Sequence, residues 1–363
     1  MQKCPFAHFR IAAGCQFFTK EQEMQKINLK GFDLNELRDF AESINEKPFR
    51  GDQIFSWLYN KGVNSFDEMS NLSKDLKEKL HERARIGQLK LITKQQSTKD
   101  QSMKYLFQLE DDSQIESVLM FDDNRATLCI STQVGCAIDC KFCATGMMGL
   151  NRHLTPGEII DQVLTTRKLS GQKVTNVVCM GMGEPFHNYD NLMKACELLS
   201  DELGPNLAKR HIVVSTSGLI PKIYRFADEN HKYRLAISLN ATTDEIRSRI
   251  MPLNKKWPIT ELIKAAKYYT KKSDQPVTIE YVLMDKLTDS LEDAKRLKNI
   301  VKGLYCKINL IPYNATLGEF KRPEEKRIMQ FYEQMRDLNT PVTIRWSKGD
   351  DIDAGCGQLA AKA

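Results

Sequence analysis

The pattern that limits the possible folds most strongly is an alternation of short apolar segments with helical segments along the sequence. The predicted strands are residues 127–131, 174–180, 212–215, 235–239, 277–284, 306–311 and 342–346. Strands that alternate with helices pair in parallel, so their carboxyl ends and the loops that follow meet at one edge of the sheet. Ligands bind at that edge. The sequence therefore predicts an α/β fold in which six βα units curl into a barrel or part of one.

Three cysteines follow the first predicted strand with the spacing C-x3-C-x2-C, at Cys136, Cys140 and Cys143. Thiolate is the soft ligand that selects iron–sulfur clusters and zinc. A [4Fe–4S] cube normally takes four cysteines, so three would leave one iron with an open coordination site. Structural zinc sites usually pair two short Cys/His spacings, and no second pair follows here. The spacing favours a catalytic cluster, with a structural zinc site as the alternative.

Short polar side chains and glycines follow several of the later predicted strands. The run Gly181-Met182-Gly183-Glu184-Pro185 comes directly after the second one, where glycine lets the backbone approach a ligand closely. A carboxylate such as Glu184 can hold the amino group of a bound amino acid. Further candidate cofactor-binding residues at strand ends are Ser215, Ser238, Leu239, Asn240 and Asn314. For each of these taken singly, a capping or turn role is an equal alternative.

The composition is that of a folded protein with metal or redox chemistry. Hydrophobic residues make up 41% and charged residues 28% of the 363 residues, as in soluble globular proteins. No apolar run approaches the ~20 residues needed to span a bilayer, and residues 1–20 lack the apolar segment of a secretory signal. Ten cysteines without such a signal predict a reducing, cytoplasmic location with no membrane association. The net charge of +6 permits an RNA partner without requiring one.

The region before the barrel has a helical pattern. We predict a small helical accessory domain over residues 29–100, in which residues 74–104 carry nine Lys/Arg against four Asp/Glu. This excess is consistent with a nucleic-acid-binding face, although a solvated face is the alternative. Residues 104–120 predict a β-hairpin at the start of the barrel domain, 101–363. Residues 1–28 are left as an unassigned extension.

Two further cysteines distinguish this chain from other proteins with the same three-cysteine spacing. Cys129 lies within the first predicted strand, and Cys356 lies in a Gly-Cys-Gly tail that has no role in core packing. The chain resembles the RlmN family of radical S-adenosylmethionine (SAM) enzymes from about residue 46 to its C-terminus. The matching segments are Cys129, the C-x3-C-x2-C loop and residues 181–185, 215–218, 306–312 and 349–359. The sister family, Cfr, shares the cysteines, but Pro185 favours RlmN.

The resemblance implies a partial (β/α)6 TIM-like radical SAM barrel with the accessory domain and the hairpin as additions. It implies one [4Fe–4S] cluster per subunit, held by Cys136, Cys140, Cys143 and SAM. It also implies that SAM is bound by the strand-end residues named above, and that two SAM molecules are consumed per methylation. Asn240 is a departure, since many relatives have His there; Asn keeps the hydrogen-bonding capacity.

The reaction implied by the resemblance is methylation of adenosine C2 in 23S rRNA and in tRNA. Cys356 first takes a methyl group from one SAM, and a radical derived from a second SAM removes a hydrogen from it. The resulting methylene radical adds to C2, and Glu116 matches the family's base that removes the C2 proton. Cys129 then attacks the sulfur of Cys356, which forms a transient disulfide and releases the RNA from a covalent adduct.

The implied partners are 23S rRNA, tRNA and an electron donor such as flavodoxin with its reductase, and the mechanism requires only a monomer. Two alternatives remain open. One is a Cfr-type enzyme that methylates adenine C8, and the other is a non-catalytic iron–sulfur or zinc protein that binds RNA. Candidate phosphate contacts, each with a solvated face as the alternative, are Lys141, Arg152, Arg247 and Arg249.

Overall fold

The computed structural model describes residues 26–316 and 318–361. The unassigned extension therefore lies almost entirely outside the described residues, with Cys4 and Cys15 in it. The N-terminal elements are β1 (Ile27–Asn28), α1 (Leu34–Ser43), α2 (Phe49–Phe55), α3 (Lys74–Arg83) and β2 (Ala84–Arg85). A π-helical turn, Ser56–Lys61, extends α2. The strands β3 (Lys90–Gln96), β4 (Met103–Gln108) and β5 (Gln114–Asp122) come next.

The rest of the chain alternates strands with helices. The first elements are β6 (Arg125–Cys129), β7 (Gln133–Gly135), α4 (Ala144–Met147), β8 (Leu150–His153), α5 (Pro156–Ser170), β9 (Asn176–Cys179), α6 (Tyr189–Ser200), β10 (Ile212–Thr216), α7 (Ile220–Asp228) and β11 (Arg234–Ser238). The last are α8 (Asp244–Ile250), α9 (Ile259–Ser273), β12 (Val277–Leu283), α10 (Leu291–Val301), β13 (Cys306–Pro312), α11 (Glu325–Met335) and β14 (Val342–Ile344).

One sheet of ten strands organises the fold, in the order β14-β13-β12-β11-β10-β9-β6-β5-β4-β3. The strands from β6 to β14 pair in parallel, and helices cover the crossovers between them. The strands from β3 to β6 pair antiparallel and extend the sheet beyond the barrel. This confirms the predicted α/β partial barrel with six βα units and a hairpin extension. In the described part of the chain no pairing closes β14 onto another strand, so the barrel is open.

The helical region is shorter than the sequence pattern indicated. Its last helix, α3, ends at Arg83, and β3 pairs with β4 as an edge strand of the main sheet. The residues of β3 are mostly exposed, because an edge strand has a partner on one side alone. The region from residue 90 onward therefore belongs structurally with the barrel rather than with the helices.

A buried ion pair connects the helical region to the barrel. Lys30 Nζ lies 2.6 Å from Asp161 Oδ1, and the two side chains are 2% and 3% exposed. Asp161 is on α5, and its Oδ2 accepts a hydrogen bond from the backbone N–H of Leu89 at 2.8 Å. One carboxylate thus ties the loop before α1 and the segment before β3 to the first barrel helix. Within the described residues, no helix is long and apolar enough to cross a membrane.

Candidate active site

A cavity of about 190 Å³ lies at the carboxyl ends of the barrel strands. Loops that follow β6, β9, β10, β11, β13 and β14 reach it, as the parallel topology requires. All five cysteines singled out in the sequence line it: Cys129, Cys136, Cys140, Cys143 and Cys356. Residues that are far apart in the chain therefore converge on one site.

The three-cysteine loop is fixed at both ends by backbone hydrogen bonds. Cys136 N donates to the Gly149 carbonyl at 2.8 Å, and Cys143 N donates to the Cys140 carbonyl at 3.1 Å. Burial raises the pKa of the Cys136 thiol to about 12, and burial together with the charges of the neighbouring thiols raises that of Cys140 well above its ordinary value. A bound cation would reverse these shifts, because metal coordination favours the thiolate.

The donor set fits an iron–sulfur cluster. Across residues 26–316 and 318–361, no three His, Cys, Asp or Glu side chains are grouped as ligands of one metal ion. A [4Fe–4S] cluster does not need such convergence, since each cysteine ligates a different iron. The cavity also has an unpartnered polar group suited to a small-molecule ligand: the buried Ser217 hydroxyl makes no hydrogen bond with the described residues.

Gly183 and Glu184 form a tight loop after β9. Gly183 has a φ of +102°, and a Cβ there would lie 2.6 Å from the Gln133 Cβ, so this position requires glycine. The Glu184 carboxylate accepts from the backbone N–H groups of Phe186 at 3.0 Å and Ser217 at 2.7 Å. Burial raises its pKa, although these hydrogen bonds oppose the shift. Both residues line the cavity, and an ionised carboxylate keeps further lone pairs for a bound ammonium group.

The structure brings most of the other predicted cofactor-binding residues to the same cavity. Ser215, Ser238, Asn240 and Asn314 line it. The Asn240 side-chain oxygen accepts from Val282 N at 3.1 Å. Leu239 is different: its side chain is fully buried away from the cavity lining, and its carbonyl accepts from Arg247 Nε at 3.0 Å.

Cys129 and Cys356 line the same cavity, and the charge state of Cys356 affects the pKa of Cys129. Both are free thiols. Burial raises the pKa of Cys129 to about 12, the charge of Cys356 adds to the shift, and Arg345 opposes it. Although Cys356 is exposed at the surface, the atoms packed around its thiol raise its pKa to about 11, and Arg345 again opposes the shift. The pair that the sequence singled out is therefore assembled in one site, with one guanidinium acting on both sulfurs.

Glu116 is not brought to the cavity lining. It lies on β5, opposite Leu106 of β4, and is 3% exposed. Its Oε2 accepts from the backbone N–H groups of Ala360 at 2.8 Å and Ala361 at 3.0 Å, and its Oε1 lies 3.4 Å from Lys104 Nζ. The end of the C-terminal tail thus covers this carboxylate.

Comparison with known proteins agrees with this geometry. The family model described as ribosomal RNA large subunit methyltransferase N-terminal domain matches residues 27–86, and the radical SAM superfamily model matches residues 130–297. A probable dual-specificity RNA methyltransferase RlmN from Clostridioides difficile is 43% identical over 341 residues, which cover 94% of this chain and 99% of that protein. The chain belongs to the RlmN family. The dual-specificity RNA methyltransferase RlmN of Syntrophotalea carbinolica is 45% identical, over 93% of this chain and 90% of the relative.

A solved structure confirms the architecture. The crystal structure of a radical SAM methyltransferase from Sphaerobacter thermophilus matches with a TM-score of 0.89 and 42% identity, over 93% of this chain and all of that one. Membership of the radical SAM superfamily implies a [4Fe–4S] cluster and SAM as cofactors. The RlmN resemblance seen in the sequence motifs is thereby confirmed.

Sequence reasoning missed two polar residues of the cavity and misjudged a third. Glu280 on β12 and Arg345 after β14 both line the cavity, and neither belongs to a motif that would have marked it. Arg247 is fully buried and donates to the carbonyls of Ser217 at 2.7 Å and Leu239 at 3.0 Å, so its prediction as a phosphate contact was wrong. The signal available for Glu280 was a carboxylate inside an otherwise apolar predicted strand.

Proposed function

We propose that this protein is a radical SAM RNA methyltransferase that methylates C2 of adenosine in 23S rRNA and in tRNA. The observation that carries the proposal is the convergence of Cys129 and Cys356 with the three-cysteine loop on one cavity. A plain iron–sulfur protein has no use for two further cysteines placed beside the cluster ligands. Membership of the RlmN family supports the choice of RNA as substrate.

The substrate explains why such a site is needed. Adenine C2 is electron-poor and its C–H bond offers no nucleophile, so a polar methyl transfer from SAM fails there. Cys136, Cys140 and Cys143 would hold a cluster, which would supply the electron for cleavage of SAM to a carbon radical. The open barrel end gives an unstacked base access to this chemistry, since a stacked base cannot reach a recessed site.

Cys356 is the methyl acceptor in this proposal. Its thiol loses a proton, and the thiolate attacks the methyl carbon of SAM, which gives an S-methyl thioether and releases S-adenosylhomocysteine. The thiolate is the reactive form, so the charge of Arg345, which opposes the raised pKa of Cys356, favours this step. Hydrogen removal from the S-methyl group and addition of the methylene carbon to C2 then join Cys356 covalently to the RNA.

Cys129 resolves the adduct. The adduct first loses the C2 proton to the base and one electron, which a cluster would take back. The Cys129 thiolate then attacks the Cys356 sulfur, the bond from that sulfur to the transferred carbon breaks and the freed carbon takes up a proton, which leaves a disulfide and a C2-methylated adenine. Cys129 and Cys356 line one cavity and neither is in a disulfide, which supports this assignment. An external electron donor, such as flavodoxin with its reductase, supplies the cluster, and the disulfide is reduced again in a reducing cytoplasm.

Glu116 is the proposed base that takes the C2 proton. In the structure its Oε2 is occupied by the backbone N–H groups of Ala360 and Ala361. These two residues follow Cys356 closely in the chain, so movement of the Cys356 tail onto the substrate would also release the carboxylate. The base is then available only when the tail has changed position.

The remaining parts of the proposal concern binding. Glu184, Ser215, Ser238, Asn240 and Asn314 line the cavity and would contact SAM, whereas Leu239 would act by fixing the backbone beside Ser238 and Asn240. The helical accessory domain, predicted over residues 29–100 and ending before β3 in the structure, would bind folded RNA through its shape and backbone. One subunit contains every residue that the proposal uses, so a monomer suffices.

The test is anaerobic turnover of the reconstituted holoenzyme with an rRNA fragment and SAM that carries a deuterated methyl group. Nucleoside mass spectrometry locates the new methyl group on the base. Methylation at C2 that retains two of the three deuterons supports the proposal. Methylation at C8 assigns the Cfr-type activity instead. Formation of 5′-deoxyadenosine, the product of SAM cleavage, without any methylated nucleoside rejects the substrate assignment.

A further inference from the structure

Glu280 is a buried carboxylate with one oxygen left unused. It lies on β12, is 4% exposed and lines the cavity. Its Oε1 accepts from Asn309 Nδ2 at 2.9 Å, whereas its Oε2 has no hydrogen-bond partner among the described residues. Buried polar atoms of this kind are rare because an unmade hydrogen bond is costly. The Oε2 atom can therefore accept a hydrogen bond from a donor on a molecule bound in the cavity.

Arg345 presents unused donors at the same place. It follows β14, and its Nη1 donates to the Met180 sulfur at 3.3 Å, the one side-chain hydrogen bond that its guanidinium makes within the described residues. A guanidinium carries five N–H donors. Met180 follows β9, which pairs with β6, the strand that ends at Cys129. The guanidinium therefore lies at the strand end beside Cys129 and lines the same cavity as Glu280 and Cys356.

We propose that Glu280 and Arg345 read the Watson–Crick edge of the target adenine. The N6 amino group donates to Glu280 Oε2, and an Arg345 N–H donates to N1. The inference rests on the proposed function, because it assumes that C2 is the carbon presented to Cys129 and Cys356.

The arrangement of the four residues follows the arrangement of atoms on the base. Along that edge N6 is followed by N1 and then by C2. In the sheet order β12-β11-β10-β9-β6, Glu280 is on β12, the Arg345 guanidinium contacts Met180 just after β9, and Cys129 ends β6. A base bound through N6 and N1 would therefore direct C2 toward the two sulfurs. A donor to N1 also withdraws electron density from the neighbouring C2, which favours addition of a carbon radical there.

The same pair explains a choice of base. Guanine carries a carbonyl at position 6 and an N–H at position 1. Its acceptor O6 would meet the acceptor oxygen of Glu280, and its N1–H donor would meet an N–H donor of Arg345. Sites built to hydrogen-bond a substrate reject analogues that leave their buried polar groups unpaired. Adenine alone among the purines of unmodified RNA satisfies both residues.

The experiment is a cycle of substrate and protein changes on the reconstituted holoenzyme. RNA fragments carry adenosine, purine ribonucleoside (which lacks the N6 amine) or 1-deazaadenosine (which lacks N1) at the target. The proteins are the wild type, Glu280→Met, Glu280→Gln and Arg345→Met. For each protein, kcat/KM is expressed as a ratio between two substrates, so the fraction of folded protein cancels. When these ratios are compared between two proteins, the intrinsic reactivity of each base cancels as well.

We expect the wild type to prefer adenosine over purine ribonucleoside about tenfold to hundredfold, the value of a hydrogen bond to a charged group. Glu280→Met is expected to lose the preference for adenosine over purine ribonucleoside and to keep the preference for adenosine over 1-deazaadenosine. Arg345→Met is expected to lose the preference over 1-deazaadenosine and to keep the preference over purine ribonucleoside. Glu280→Gln keeps an acceptor oxygen and is expected to retain most of the N6 preference.

Two results would overturn the inference. One is substrate ratios for Glu280→Met and Arg345→Met that equal those of the wild type. The other is weakened SAM binding, measured by equilibrium dialysis without RNA, in variants whose substrate ratios are unchanged; this would place the pair against the cofactor. Failure of the wild type to methylate adenosine at C2 would instead reject the proposed function.

Discussion

The side chain of Asn314 holds the backbone of Cys356. Asn314 follows β13 and is 3% exposed, and its Nδ2 donates to the Cys356 carbonyl at 3.1 Å. The preceding residue, Gly355, packs so closely that a Cβ there would lie 2.6 Å from the same nitrogen. A strand end thus positions a loop that comes much later in the chain. Asn314, predicted as a cofactor-binding residue, also fixes the backbone of the proposed methyl acceptor.

Replacing Asn314 by alanine tests this positioning role. We expect Asn314→Ala to lower the rate of Cys356 methylation about threefold to tenfold, the value of one hydrogen bond. Intact-protein mass spectrometry after incubation with SAM measures the methylated fraction. Asn191→Ala serves as the matched control, because it removes the same kind of hydrogen bond, from Asn191 Nδ2 to the Leu154 carbonyl at 3.1 Å, outside the cavity lining. An Asn314→Ala variant that is methylated at the wild-type rate would contradict the role.

The buried pair Lys30–Asp161 predicts a large effect on stability. Asp161→Asn leaves the Lys30 ammonium buried without a counter-charge, and breaking a buried pair in this way costs about 3–5 kcal/mol. Glu78→Gln, which removes the exposed pair with Lys74, is the control and should change stability by less than about 0.5 kcal/mol. Denaturant unfolding of both variants measures the difference. Equal midpoints would mean that the helical region does not depend on this ion pair.

The sequence was sufficient to predict the barrel because its strands are apolar on both faces. Each barrel strand was located to within about three residues, and the convergence of their carboxyl ends followed from parallel pairing. The edge strand β3 was missed because its residues are largely polar and exposed, which hides the strand signal. Tertiary pairing with β4, not local propensity, decides that segment.

Side-chain partners at the site were less predictable than its location. The sequence indicated Glu184 as a ligand-binding carboxylate, but it could not show that the N–H groups of Phe186 and Ser217 already occupy it. It marked Arg247 as a surface cation, although that side chain holds two strand ends together. Such roles depend on which carbonyls and amides of distant loops come together, and no local pattern encodes this.

An exposed ion pair gives a prediction for pH dependence. Arg152 on β8 contacts Asp111 in the turn between β4 and β5 at 2.6 Å, and it lowers the pKa of that carboxyl from 3.8 to about 2. A lowered pKa means that the pair stabilises the fold above about pH 4 and loses this effect as the pH falls through about 2.

We therefore expect Asp111→Asn to be less stable than the wild type at pH 7, by no more than about 1 kcal/mol because the side chains are partly exposed. The difference should disappear between about pH 4 and pH 2. Thermal unfolding at pH 7 and at pH 2.5 measures it. A difference that is the same at both values would show that the pair is not its cause.

The contact between Glu116 and the end of the tail separates two roles for that carboxylate. If Glu116 is the base, Glu116→Gln should slow release of the RNA adduct about 100-fold or more, the scale of general base catalysis. A chain that ends at Leu359 lacks the covering N–H groups of Ala360 and Ala361 and should still turn over. Denaturing gels resolve the adduct. Unchanged release by Glu116→Gln, with loss of activity in the shortened chain, would make Glu116 an anchor for the tail instead.

The most direct measurement is anaerobic turnover of the Cys129→Ala holoenzyme with an rRNA fragment, followed by mass spectrometry of the protein. Without the Cys129 sulfur the bond between Cys356 and the transferred carbon cannot be exchanged for a disulfide. The variant should therefore accumulate RNA joined covalently to Cys356, while the wild type releases 2-methyladenosine. Release of methylated RNA by Cys129→Ala at the wild-type rate, with no adduct, would contradict the account.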